Sequence, residues 1–211
     1  MKIVIFGATG GIGLELLKQA SAAGHEVTAF ARNPLKLPTE PSVRVAEGNA
    51  LNADAVRNAI AGQEAVISAL GARSLTDATL LPESMRYILV GMKQHGVRRL
   101  IVTGASGTMS QAEERLPPVK RMVFRLVKAT LLRRVFASQT AMQAMVRSSD
   151  TEWTIVQPQR LVNAPGKGRA RVDGEALPVN GVVIPRADVA RFMLAQLESA
   201  EWARRDVYVA S

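Results

Sequence analysis

The spacing most able to do chemistry lies near the N-terminus. Gly7-Ala8-Thr9-Gly10-Gly11-Ile12-Gly13 sets glycines three and three apart. The first can take a sharp turn out of a strand. The second lets backbone N–H groups approach an anion, and the third lets helix and strand pack closely. The run directly follows the apolar stretch Ile3–Phe6 and directly precedes a helical pattern. In that context the free N–H groups and dipole of a helix N-terminus face a phosphate. The spacing points to a dinucleotide pyrophosphate; the alternative is a glycine-rich turn with a structural role only.

A second position selects the dinucleotide. Strands that hold a ribose 2′-hydroxyl usually end in an acid. Here the next strand ends Phe30-Ala31-Arg32-Asn33-Pro34, followed by Lys36. A planar guanidinium suits a 2′-phosphate, so Arg32, with Lys36 nearby, favours NADP(H) over NAD(H). The alternative for Arg32 is a solvated surface arginine.

These residues need a scaffold, and the rest of the chain predicts one. Short apolar, β-branched runs at Ile3–Phe6, Val27–Ala31, Val43–Glu47, Ala65–Leu70, Leu100–Thr103, Trp153–Gln157 and Val207–Ala210 read as strands. Helical patterns alternate with them at Leu14–Ala23, Asn52–Ile60, Pro82–His95 and Arg186–Leu197, with Gly24, Gly62 and Gly96 as stops. That alternation predicts an α/β fold, a doubly wound (Rossmann) parallel sheet with helices on both faces. The 211 residues suit a single domain, 1–211, with a small substrate-side subregion around 160–190. Within it, Asn163–Val182 predicts loops and a short hairpin.

Composition narrows the chemistry. Apolar residues make up 47% and charged residues 21%, a globular balance. There is no cysteine, which excludes thiolate catalysis and disulfides, and two distant histidines do not predict a metal site. The apolar start is too short for a secretory signal, so a cytoplasmic location is expected.

The glycine turn, Ala31-Arg32-Asn33-Pro34-x-Lys36-Leu37, Gly48-Asn49, Val66–Gly71 and Trp153-Thr154-Ile155-Val156-x-Pro158 together resemble atypical short-chain dehydrogenase/reductases. The likeness is to the NmrA-like and biliverdin reductase B (flavin reductase) types and covers nearly the whole chain. It implies about seven strands in the order 3-2-1-4-5-6-7. It also implies cofactor contacts at Gly7, Thr9, Gly10, Gly11, Ile12, Gly13, Arg32, Ala69, Leu70 and Gly71. Asn49, with Ala50 beside it, matches an adenine-side position that is usually Asp, and Pro158 would flank the nicotinamide. The sequence departs from the pattern in three places. Neither Tyr87 nor Tyr208 is followed by a lysine at the Tyr-x-x-x-Lys spacing. The Arg-Pro after the sixth strand is Gln157-Pro158, and the acids of the preceding helix become Ser138 and Gln143.

Hydride transfer to an acceptor that needs little proton assistance survives these losses, and a flavin or quinone is such an acceptor. Thr103 and Ser106 are the candidate catalytic hydroxyls. Met109, Gln157, Gln159 and Arg160 are candidate lining residues. The competing reading is a non-catalytic NADP(H) sensor that binds a partner protein.

The net charge is +9, and its excess belongs to one segment. Between Glu114 and Asp150 there are eight bases and no acid. Pro118–Phe136 has a helical apolar stripe. A helix packed on the sheet or on a partner subunit, as in a homodimer, is favoured. An acidic partner and a membrane surface remain alternatives. No nucleic-acid module is visible.

Overall fold

The computed structural model describes residues 1–38, 42–72, 79–105, 114, 118–130, 132–178 and 183–211. Ten strands and six long helices are described. β1 (Lys2–Phe6), β2 (Glu26–Ala31), β3 (Val43–Glu47), β4 (Ala65–Ser68), β5 (Arg99–Thr103) and β6 (Glu152–Pro158) are joined by α1 (Gly11–Ala22), α2 (Ala53–Ile60), α3 (Leu80–His95), α4 (Pro118–Thr130) and α5 (Arg133–Arg147). After them come β7 (Arg160–Val162), β8 (Arg171–Asp173), β9 (Val183–Pro185), α6 (Arg186–Ala195) and β10 (Arg205–Ala210).

The main sheet has eight strands in the order β3-β2-β1-β4-β5-β6-β10-β8. The first seven are parallel, and β8 pairs antiparallel with β10. Val207–Ala210 therefore takes the seventh place, so the parallel strands number seven in the expected order, and the short antiparallel β8 extends the sheet at its edge. The expected hairpin in 163–182 is corrected. β8 pairs with the distant β10, registering Val172 with Val209, instead of folding on its neighbours. The Asp173 carboxylate ends the strand by accepting from the Glu175 and Ala176 amides, which hold it below the usual carboxylate range. β7 and β9 form a separate two-stranded parallel sheet.

Hydrophobic burial fixes both faces. Ile3, Ile5, Leu16, Leu17, Val189 and Met193 pack α1 and α6 on one side. Val4, Phe6, Val56, Ile88, Met142 and Val146 pack α2, α3 and α5 on the other. β1 serves both faces, which explains its uninterrupted apolar run. Local chemistry sets the ends. The Asn52 side chain caps α2 by accepting from the Ala55 amide at 3.0 Å, and Gly96 closes α3 at φ 69°. Asp188, in the first turn of α6, accepts from the Lys167 and Gly168 amides and ties that loop down.

The basic segment departs from the expectation of a single helix over Pro118–Phe136, packed on the sheet or on a partner subunit. It breaks between α4 and α5. Thr130 Oγ1 donates back to the Leu126 carbonyl at 2.8 Å, and the Leu132 amide reaches the Val127 carbonyl. Such back-bonding competes with continuation of the helix. α4 packs mainly on α5, and its apolar stripe faces outward, with Val119 72%, Met122 67% and Leu126 66% exposed.

One buried charge knits the N-terminal edge of the sheet. Arg99, 8% exposed, donates to the Gln196 carbonyl at 2.8 Å and to Thr154 Oγ1 at 2.9 Å. It also donates to the Glu152 carbonyl, while burial lowers its basicity. Arg99→Met strips several buried acceptors of their donor. Urea denaturation should show a loss of about 3 kcal/mol, with dinucleotide affinity unchanged because Arg99 lies at the far end of β5. A loss below about 1 kcal/mol would mean that water replaces the guanidinium.

Candidate active site

The carboxyl ends of the strands carry two cavities that share one wall. The first, about 180 Å³, is lined by Gly7, Thr9, Gly10, Phe30, Ala31, Arg32, Gly48, Asn49, Ala50, Ala69, Leu70, Gly71 and Leu80. The second, about 940 Å³, runs from Gly10, Gly11 and Ile12 past Thr103, Gly104 and Ala105 to Phe124, Gln139, Pro158, Gln159, Arg160 and Arg186. Gly10, Ala69, Leu70 and Gly71 border both, so they form one groove bent over the glycine turn.

The glycines are required sterically. Gly7 has φ 79°, and a Cβ there would sit 2.6 Å from the Ala69 carbonyl oxygen. A Cβ on Gly13 would lie 2.1 Å from the Gly7 carbonyl oxygen. Gly10 donates its amide to that same oxygen at 2.9 Å and N-caps α1 without a side chain. The turn thus closes on itself, leaving a backbone-lined cradle that a side chain would fill. That cradle fits a pyrophosphate at a helix N-terminus. Gly13 lies beneath the turn, not on the cavity wall.

In the first cavity, Arg32 follows β2 directly, is exposed, and has no hydrogen bond or ion pair among the described residues. The next turn is fixed by Asn33, whose Oδ1 accepts from the Leu35 amide at 3.1 Å. Lys36 ends that turn and does not line the cavity. Asn49 Oδ1 accepts from the Leu51 amide at 3.1 Å, which leaves its NH₂ as the group offered to a ligand. Gly48 is needed because a Cβ there would meet the Phe30 ring at 2.7 Å.

In the second cavity, Thr103 is 9% exposed and donates to the Ser68 carbonyl at 3.4 Å, so its oxygen lone pairs are what it offers. Ser106 and Met109 lie outside the described residues. Gln159 and Arg160 line the wall as expected. Gln157 does not. It is fully buried and donates to Gln143 Oε1 and Asp206 Oδ1, both at 2.9 Å. Arg147 completes the network, donating to Gln143 and to both Asp206 oxygens. The hydrogen bond to Asp206 raises its pKa. The departures at Gln143 and Gln157 are thus one feature, a neutral amide pair beneath Gly104. Among the lining residues that escaped the sequence reading are Phe124, Gln139 and Arg186. Gln139 stands one turn from Gln143 on the same helix face, a spacing that could have found it. The Arg186 side chain crosses from α6 to Gly11, and no local pattern marks it. Among the described lining residues there is no Asp, Glu or His.

A strand-turn-helix cradle at a doubly wound sheet, continuous with a wide cavity over the strand ends, defines a dinucleotide-binding domain. The family model for NAD(P)H-binding proteins matches residues 7–200, and the chain belongs to that family. A Bacillus subtilis (strain 168) protein known only as YwnB is 28% identical over 211 residues, covering 95% of this chain and 94% of its own. A short-chain dehydrogenase/reductase from Veillonella parvula DSM 2008, solved in complex with NADP, superposes with TM-score 0.80 at 21% identity, covering 99% of this chain and 94% of that one. A candidate NADH-flavin reductase from Streptococcus pneumoniae TIGR4 superposes with TM-score 0.79 at 20% identity, covering 100% and 99%. At these identities the two structures show the shared fold.

Proposed function

We propose that this chain is an NADPH-dependent reductase that passes hydride to a flavin-like acceptor. The observation that carries the reading is the bent groove. An arginine without a partner among the described residues marks one end, and the other opens into about 940 Å³, room for a nicotinamide and a second flat ring. When bound, NADPH supplies the hydride. The glycine turn holds the pyrophosphate, Arg32 reaches the 2′-phosphate, and Asn49 faces the adenine side. Ile12 and Pro158 are apolar walls that limit water around the rings. Among the described residues no carboxylic acid, imidazole or tyrosine lines the cavity, so the reading calls for an acceptor that needs little proton assistance from the protein. This restricts the acceptor to conjugated systems that spread the added charge, as flavins do. The fold shared with a candidate NADH-flavin reductase supports the assignment.

The same absence of acid–base groups favours a second reading, a sensor that binds NADP(H) and a partner protein without turnover. Steady-state oxidation of NADPH, followed with riboflavin, FMN and menadione, separates them. Turnover with a flavin well above the no-enzyme rate is expected. Tight NADPH binding without turnover across that panel would leave the sensor.

A further inference from the structure

The second cavity holds two polar groups that hydride transfer alone does not use. Gln139, on α5, and Gln159, just past β6, are each 7% exposed. Neither side-chain amide has a hydrogen-bond partner among the described residues, and both Oε1 atoms are shielded from solvent. Their neighbours behave differently. Gln143 and Gln157, on the same two elements, bond to each other at 2.9 Å. So each inner amide is held by the other, although Gln157 Oε1 is itself buried without a donor, whereas neither amide on the cavity wall has any partner among the described residues. A buried carbonyl oxygen without a donor is costly, and such a group is kept where something else supplies the donor.

We infer that Gln139 and Gln159 are specificity-determining residues that read the N–H-bearing edge of the acceptor, a cyclic imide or lactam. The inference rests on the reductase reading for the kind of ligand and deepens it. The orphaned atoms are acceptors, so the ligand edge must donate. A flavin presents one imide N–H between two carbonyls, which the two carboxamide oxygens can share as a bifurcated hydrogen bond while each NH₂ donates to the nearer carbonyl. A quinone presents carbonyl oxygens only and leaves the glutamine oxygens unpaired. The terminal side-chain torsion of glutamine is broad, so modest rotation turns the amide toward a ligand.

The test uses the full chain saturated with NADP⁺, so that binding is read without turnover. Riboflavin, N3-methylriboflavin and menadione are titrated by calorimetry against wild type, Gln139→Leu and Gln159→Leu. Wild type should bind riboflavin roughly tenfold tighter than its N3-methyl form, the scale of one hydrogen bond with a partner left unsatisfied. Each variant should lose most of that preference, while menadione affinity changes by a smaller factor than riboflavin affinity. Thermal unfolding of the ligand-free variants should give a Tm equal to or above wild type, because leucine removes an unsatisfied buried amide. A structural hydrogen-bonding role would instead lower it. Equal binding of riboflavin and N3-methylriboflavin to wild type overturns the inference even if a variant fails to fold. A selective complex in a protein that never oxidises NADPH keeps the inference and removes the reductase reading.

Discussion

Arg32→Ala should weaken NADPH binding by about 1.5–3 kcal/mol, the range of a hydrogen bond to a charged group. That corresponds to a roughly tenfold to 150-fold rise in Kd. NADH should bind almost as before. The reasoning is local. Arg32 borders the first cavity, is exposed and has no partner among the described residues, so its removal costs the fold little. Only a ligand carrying the extra phosphate loses a contact. Arg32→Lys should recover part of the affinity, because an ammonium keeps the charge but not the planar fork. The preference should also shrink with added salt, since the pair sits in solvent. Fluorescence titration of wild type and variants with both dinucleotides is decisive. An equal loss for NADPH and NADH would assign Arg32 to the fold or to the shared part of the ligand.

Gly13→Ala should act in the opposite manner, on the fold and on both dinucleotides alike. The added methyl would sit 2.1 Å from the Gly7 carbonyl oxygen and 2.8 Å from the Ala8 backbone. Every obstructing atom is main chain, so no side chain can swing aside, and β1 and α1 must separate. Overpacking of this kind costs about 3 kcal/mol. The urea midpoint should fall accordingly. The turn that presents N–H groups to the pyrophosphate should open, and affinity for NADPH and NADH should drop together. Gly71→Ala supplies the control for stability, since a Cβ at Gly71 meets nothing within 4 Å. A Gly13→Ala variant as stable as wild type would mean that strand and helix do not need this close contact.

The sequence made legible what local patterns dictate. The buried run Ile3–Phe6, the glycine turn and the caps at Asn52 and Gly96 are set by neighbours a few residues away, and the structure places all of them where they were read. Boundaries shifted where a motif served two roles. α1 begins at Gly11, inside the glycine turn, because Gly10 is its cap. What escaped was decided by distant partners. β8 is three residues long and exists through its pairing with β10. Gln157 alternates along a strand like a lining residue, yet turns inward because Gln143 and Asp206 offer acceptors. The stripe on α4 had the right period, but period does not say what covers it. Arg186 reaches the site only because α6 packs beside α1.

The wall shared by the two cavities governs how substitutions combine. Gly10, Ala69, Leu70 and Gly71 touch both halves of the groove, whereas Arg32 belongs to one and Thr103 to the other. Changes at Arg32 and Thr103 share no partner, so their effects on ligand binding should add in free energy. A change at Leu70 moves the hinge between the halves, so combined with either it should depart from additivity. The groove is energetically two modules on a common axle, and a double-mutant cycle is the instrument that reads its division.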